Sequence, residues 1–179
     1  MDSVTGAGVV ERIEARTWAA GKVVLLAVVV AGVLVLDQST KLLVQRHMVL
    51  YQQIDIIGEY LRFTYIYNPG AAFGISVGEH SRQFFLVLSL VALGALLAMY
   101  RFTPVEDRTR LMAIALICGG AVGNLIDRIR SESGVVDFLD VGVGDVRWPV
   151  FNIADIAVTT GAIILALSLW KEEQKPEDG

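Results

Sequence analysis

Asn152 and Asp155 stand three residues apart at the head of a long apolar run, PVFNIADIAVTTGAIILALSLW, residues 149–170. An ionisable side chain in an apolar stretch of that length is expensive to insert into lipid, so it needs a partner or a chemical task. Other polar residues could supply either. Asn124, Asp127 and Arg128 close an earlier apolar run, Asp37 and Lys41 follow the first one, and Asn68 and Asp137 lie between runs. Asn124 with Asp127, and Asn152 with Asp155, are i,i+3 pairs, so on helices each pair shares a face. Two carboxylates brought together cannot both ionise cheaply: one keeps a proton while the other acts as a base on water, an arrangement able to hydrolyse a peptide bond. Asp127, Asp137, Asp140, Asp145 and Asp155 are all candidates for such a pair. Asp155 is the strongest, because it sits about 7.5 Å down the helix axis from Val150, where a charge is most expensive. Asp127 is expected to be committed to its neighbour Arg128, which could neutralise or orient a carboxylate.

The elements that must position these residues are four apolar segments, Trp18 to Leu36, Phe84 to Tyr100, Leu111 to Ile126 and Val150 to Trp170. At about 1.5 Å per residue they measure roughly 24 to 32 Å, enough to cross a hydrocarbon core of about 30 Å, the third only barely. The predicted fold class is therefore an all-α integral membrane bundle of four spans. Lys22 lies one turn into the first span and is expected to snorkel outward. An even number of spans puts both termini on one side. Arg101, Arg108 and Arg110 crowd the short second loop, whereas four Lys or Arg are spread over residues 37–83, so the positive-inside rule places the termini in the cytoplasm. All the polar residues named above then gather at the opposite, outer membrane face. Gly119 and Gly123, and Ala157 and Gly161, are small residues at four-residue spacing that let helix backbones approach closely. If the third and fourth spans pack, their two polar faces meet.

In the first loop, Leu61, Phe63, Tyr65 and Tyr67 alternate and end at Asn68-Pro69-Gly70, a strand followed by a turn. A small sheet on the membrane surface is expected there, since an open sheet edge cannot sit in lipid. The third loop, 127–149, is shorter and Gly-rich. Residues 1–17 read as a loose tail, and the charged residues after Trp170 read as a second one.

Composition narrows the function classes. Hydrophobic residues make up 54% and charged residues 19%, too apolar for a soluble domain of 179 residues. A net charge of −4 with no basic block argues against nucleic acid as a partner. One cysteine and two histidines without HExxH argue against an internal disulfide and a zinc hydrolase. Gly142-Val143-Gly144-Asp145 spells GxGD, a pattern of presenilin-type proteases, but it falls in a loop and not within a span. A coupled transporter would place its acids at mid-membrane, and these spans carry none there. A non-catalytic assembly factor would tolerate Asp-to-Asn changes that a peptidase would not.

Five blocks occur in order: DQSTK (37–41), YNPGAAFG (67–74), GNLIDR (123–128), VVDF (135–138) and FNIAD (151–155). Together they resemble the lipoprotein signal peptidase (signal peptidase II) family, from the first span nearly to the C-terminus. The resemblance implies an aspartic endopeptidase of the bacterial inner membrane. It would remove signal peptides from prolipoproteins by cleaving before a diacylglyceryl-modified cysteine, without a metal or other cofactor. It implies Asp137 and Asp155 as the catalytic pair, with Asp37, Lys41, Asn68, Gly70, Asn124, Arg128 and Asn152 shaping the site or contacting substrate, and Asp127 beside them. It also implies inhibition by the cyclic peptide globomycin. A monomer is expected.

Overall fold

The computed structural model describes residues 6–69 and 78–174. Gly70, and the rest of the turn after Asn68-Pro69, lie outside the described residues.

Among the described residues, four helices are long and apolar enough to cross a membrane. α1 covers Gly6–His47, α2 Ser81–Phe102, α3 Arg108–Arg130 and α4 Ile153–Glu173. α1 exceeds its apolar stretch at both ends. Residues from Gly6 onward, read from sequence as a loose tail, are already helical, and the helix continues past Leu36 through Asp37 and Lys41. No glycine or proline occurs between Gly32 and Gly58 to stop it. α2 ends where Thr103 turns extended ahead of Pro104, whose ring disfavours helix at the preceding residue. α3 starts at Asp107, whose side chain accepts from the Arg110 N–H. α4 starts at a capping box in which Asn152 and Asp155 each bond the other's backbone N–H.

α3 is the central helix, packed against α1, α2 and α4. A Cβ on Gly120 would overlap the Ala154 carbonyl oxygen of α4, and one on Gly123 would stand 2.8 Å from an Asp37 carboxylate oxygen of α1. The third and fourth spans do pack, as expected. The Gly119/Gly123 spacing, however, faces α1, and it is Gly120 with Gly161 that closes α3 onto α4. Leu111, Ile114 and Cys118 of α3 form a buried cluster with Tyr100. At this end of the bundle Lys22 donates to the carbonyls of Arg101 and Thr103 at 3.0 and 2.8 Å. The lysine expected to snorkel therefore joins α1 to the end of α2.

At the other end sits an antiparallel sheet in the order β1 (Gln53–Ile57), β2 (Leu61–Asn68), β3 (Val135–Val143), β4 (Val146–Arg147). The strand read at Leu61–Tyr67 is β2. The sheet is not confined to the first loop. The segment after α3, expected as a Gly-rich loop, supplies β3 and β4, and β3 pairs with β2 so that Ile66 lies opposite Asp137. Val136 and Phe138 pack with Tyr65 onto Val44 and Met48, in the part of α1 that runs beyond its apolar stretch. That extension is the post against which the sheet is set.

Candidate active site

Five elements deliver polar side chains to the sheet end of the bundle. α1 brings Asp37, Gln38 and Lys41; α3 brings Asn124, Asp127 and Arg128; β2 and β3 bring Asn68 and Asp137; the head of α4 brings Asn152 and Asp155.

Lys41 is almost fully buried. Its ammonium has three N–H donors and meets three acceptors, Asp37 Oδ2 at 2.8 Å, Asp127 Oδ2 at 2.8 Å and Asn124 Oδ1 at 3.0 Å. Each carboxylate is engaged further. Asp37 Oδ1 accepts the Ala154 N–H at 3.0 Å, so a residue of α1 caps the first turn of α4. Asp127 Oδ2 accepts the Val136 N–H at 3.3 Å, which fixes the start of β3. Gln38 spans the two carboxylates, with Nε2 3.1 Å from Asp37 Oδ2 and 3.1 Å from Asp127 Oδ1. This corrects one expectation: the cation paired with Asp127 is Lys41, not Arg128. The Arg128 guanidinium donates to the Asn124 carbonyl at 3.3 Å and lies over the Phe85 ring, 5.9 Å from its centroid.

Asp137 and Asp155 have different company. Asp137 Oδ1 accepts from Asn152 Nδ2 at 2.7 Å, and its Oδ2 from Asn68 Nδ2 at 3.0 Å. Asp155 Oδ2 accepts the Asn152 backbone N–H at 3.1 Å, and its Oδ1 accepts Asn124 Nδ2 at 2.8 Å. Asn152 thus holds one carboxylate with its side chain and the other with its backbone. Asn124, itself fixed by Lys41, completes the circuit. Burial pushes the Asp137 carboxyl up to about 7, and the nearby Asp155 charge pushes the same way against the Asn68 and Asn152 hydrogen bonds. A buried and a half-buried carboxyl close enough to repel, oriented by neutral amides, can share a proton and act as acid and base on one water.

The other acid candidates fall elsewhere. Asp140 is buried but bound to Arg147 Nε at 2.6 Å and to the Thr64 hydroxyl at 2.8 Å. Asp145 is exposed in the turn between β3 and β4, so the GxGD match is a hairpin. Gln38 was not among the residues that sequence reasoning singled out; nothing but its place beside Asp37 marks it. Among the described residues no three His, Cys, Asp or Glu are grouped so as to hold a metal.

Known proteins resemble this chain throughout its bundle and sheet. The family model described as Signal peptidase (SPase) II matches residues 29–171. Lipoprotein signal peptidases of Geobacter metallireducens and Geobacter sulfurreducens are 41% and 44% identical, covering 84% and 82% of this chain and 93% and 92% of their own length. That of Halothermothrix orenii is 44% identical over 84% of this chain and 98% of its own. Two solved structures, each described as a bacterial membrane enzyme obtained by the in meso method, are 31% identical with TM-scores of 0.77 and 0.71. Each covers 86% of this chain, and 92% and 94% of its own chain is matched. The chain belongs to the signal peptidase II family: it is a multi-pass protease of the bacterial inner membrane that processes prolipoproteins.

Proposed function

We propose that Asp137 and Asp155 are the catalytic pair, and that they activate water to cut the precursor just before its diacylglyceryl-modified cysteine. One observation carries this reading: Asn152 grips both carboxylates at once, Asp137 with its side-chain amide and Asp155 with its backbone N–H. The ionised member takes a proton from water as it attacks the scissile carbonyl carbon, and the protonated member donates to the carbonyl oxygen. When the tetrahedral intermediate collapses the C–N bond breaks, the first member passes its proton to the departing amide nitrogen and the second takes back a hydroxyl proton. Asn68, Asn124 and Asn152 hold the carboxylates; Arg128, near both, and Gly70, which the family resemblance names, serve substrate contact. Asp37, Lys41 and Asp127 act one layer back, fixing Asn124 and the first turn of α4.

The termini lie in the cytoplasm and the site at the outer membrane face, a reading supported by the arginines between α2 and α3. A precursor anchored in that leaflet by its lipid chains then presents its cleavage site at the depth of the pair. The enzyme acts as a monomer, and globomycin-type cyclic peptides occupy the same space. The test is signal-peptide release from a purified diacylglyceryl-modified precursor, alongside the unmodified precursor and with chelator present. Cleavage restricted to the modified form and indifferent to chelator is expected. Equal cleavage of both forms, or loss with chelator, would refute the reading.

A further inference from the structure

Arg128 stands beside the aspartate pair without being gripped by an acid. The charges of Asp155, Asp137 and Asp127 all act on its guanidinium. Among the described residues, however, it makes no ion pair and its Nε has no hydrogen-bond partner. Its hydrogen bond from Nη1 to the Asn124 carbonyl, at 3.3 Å, is long and returns to its own helix. Asp127 is already held by Lys41, and Asp137 and Asp155 by amides. A side chain with so much rotational freedom needs a further constraint to stay in one place.

α2 supplies that constraint. Arg82 and Phe85 stand three residues apart near its start, so they share a face of the helix, and α2 packs on α3. Arg82 Nε donates to the Arg128 backbone carbonyl at 2.8 Å. In the last turn of α3 that carbonyl has no helical N–H to accept from. The Phe85 ring lies against the guanidinium, 5.9 Å from its centroid to Cζ, within the range of about 6 Å over which a ring face attracts a cation. One residue fixes the backbone of Arg128 and the other its charged end. Phe84 differs: among the described residues it has no cation on its ring, it meets Phe85 edge-on at 5.2 Å, and it is 48% exposed.

We infer that Phe85 is a positioning residue for the cleavage reaction: its ring, in place of an ion pair, fixes the Arg128 cation beside Asp137 and Asp155. The inference rests on the reading of those two aspartates as the catalytic pair. A cation held there favours the ionised member of the pair, and its spare N–H donors are left for a substrate carbonyl. The other charges around the pair stay where they are when the ring is removed. Asp37 and Lys41 of α1 and Asp127 of α3 are fixed by one another, and Arg82 is held by the Arg128 carbonyl. Loss of the ring therefore leaves Arg128 its charge but not its place, and the acidic limb of the rate profile moves to higher pH.

The test uses the full chain in detergent with diacylglyceryl-modified precursor, and reads kcat, KM and their pH dependence. Phe85→Leu keeps an apolar side chain without a ring. Its kcat should fall about 3- to 30-fold with little change in unfolding temperature, and its acidic limb should move to higher pH. Phe85→Tyr and Phe84→Leu should both keep most of the activity and the wild-type profile. In an Arg128→Gln background, adding Phe85→Leu should cost nothing further. Equal losses in Phe85→Leu and Phe85→Tyr, an unmoved pH profile, or losses that multiply in the double variant would overturn the inference. So would Phe84→Leu falling as far as Phe85→Leu. Phe85→Met carries the same expectation as Phe85→Leu if the latter does not fold. Cleavage by Asp137→Asn or Asp155→Asn would instead overturn the aspartate pair; the coupling of Phe85 to Arg128 is read without assigning the acids, so the two failures are distinct.

Discussion

Asp37 and Asp127 on one side of Asn124, and buried Asp137 with half-buried Asp155 on the other, are both acid pairs, but among the described residues only the first has a cation ion-paired to both members, while Arg128 stands near the second. Lys41 spends all three of its N–H donors on Asp37, Asp127 and Asn124, and those two carboxylates are then used as braces for Ala154 and Val136. Among the described residues, Asp137 and Asp155 receive hydrogen bonds from amides alone. A neutral donor orients a carboxylate without cancelling its charge. The difference separates acids that hold the structure from acids left with a proton to exchange.

The comparison can be strained hardest at its cation. Lys41→Met strands two buried carboxylates and is expected to cost about 3–5 kcal/mol, read as a large fall in the unfolding temperature in detergent. Adding Asp37→Asn and Asp127→Asn to that variant should recover most of the loss; no recovery would mean that Lys41 serves some other purpose. Next in size is Gly120→Ala, whose added methyl meets the Ala154 carbonyl of α4. Overpacking of this kind costs about 1–3 kcal/mol. It also moves α4 away from Asn124, so kcat should fall more than KM rises.

A smaller effect distinguishes the pairs by pH. Asp137 binds its proton with a pKa of about 7 in the fold against 3.8 ordinarily. The folded protein therefore holds that proton over a range where the unfolded chain has released it. Stability falls as pH rises from about 4 to 7, and the loss is complete above that. Thermal unfolding between pH 5 and 8 should show this slope in the wild type and a flatter one in Asp137→Asn. Activity should also decline on the alkaline side, as the pair loses its shared proton. The smallest effect belongs to an ion pair outside both sets. Arg62→Ala removes a contact to an exposed Asp55 and should shift stability by no more than about 0.5 kcal/mol.

Much of this was legible in the chain. The four spans follow from apolar length, and the gathering of polar residues at one end follows from where those spans stop. The i,i+3 placement of Asn152 and Asp155 foretold their shared face, which the capping box realises. Less visible was what depends on distant pairing. Asp137 reads locally as a loop acid, because VVDFLDVGV lacks a partner in sequence and becomes a strand only against β2. The choice of Lys41 over Arg128 as partner of Asp127 required knowing that α1 continues for three turns beyond its apolar stretch and packs on α3. Local adjacency favoured Arg128; the helix surface turned it toward Phe85. Gln38 could not have been singled out, since a glutamine at a helix surface and one bridging two buried acids look alike in sequence.

The most direct measurement compares the two pairs in one assay. Asp137→Asn, Asp155→Asn and Asp127→Asn would each be purified, checked for thermal unfolding, and incubated with diacylglyceryl-modified precursor under single-turnover conditions. Asp137→Asn and Asp155→Asn should remain folded yet cleave at least about 10²–10⁴-fold more slowly, whereas Asp127→Asn should lose stability and retain cleavage in proportion to the protein still folded. Cleavage by Asp137→Asn or Asp155→Asn within a few-fold of wild type, or a fully folded Asp127→Asn without activity, would contradict the division of these acids into a catalytic pair and a bracing pair.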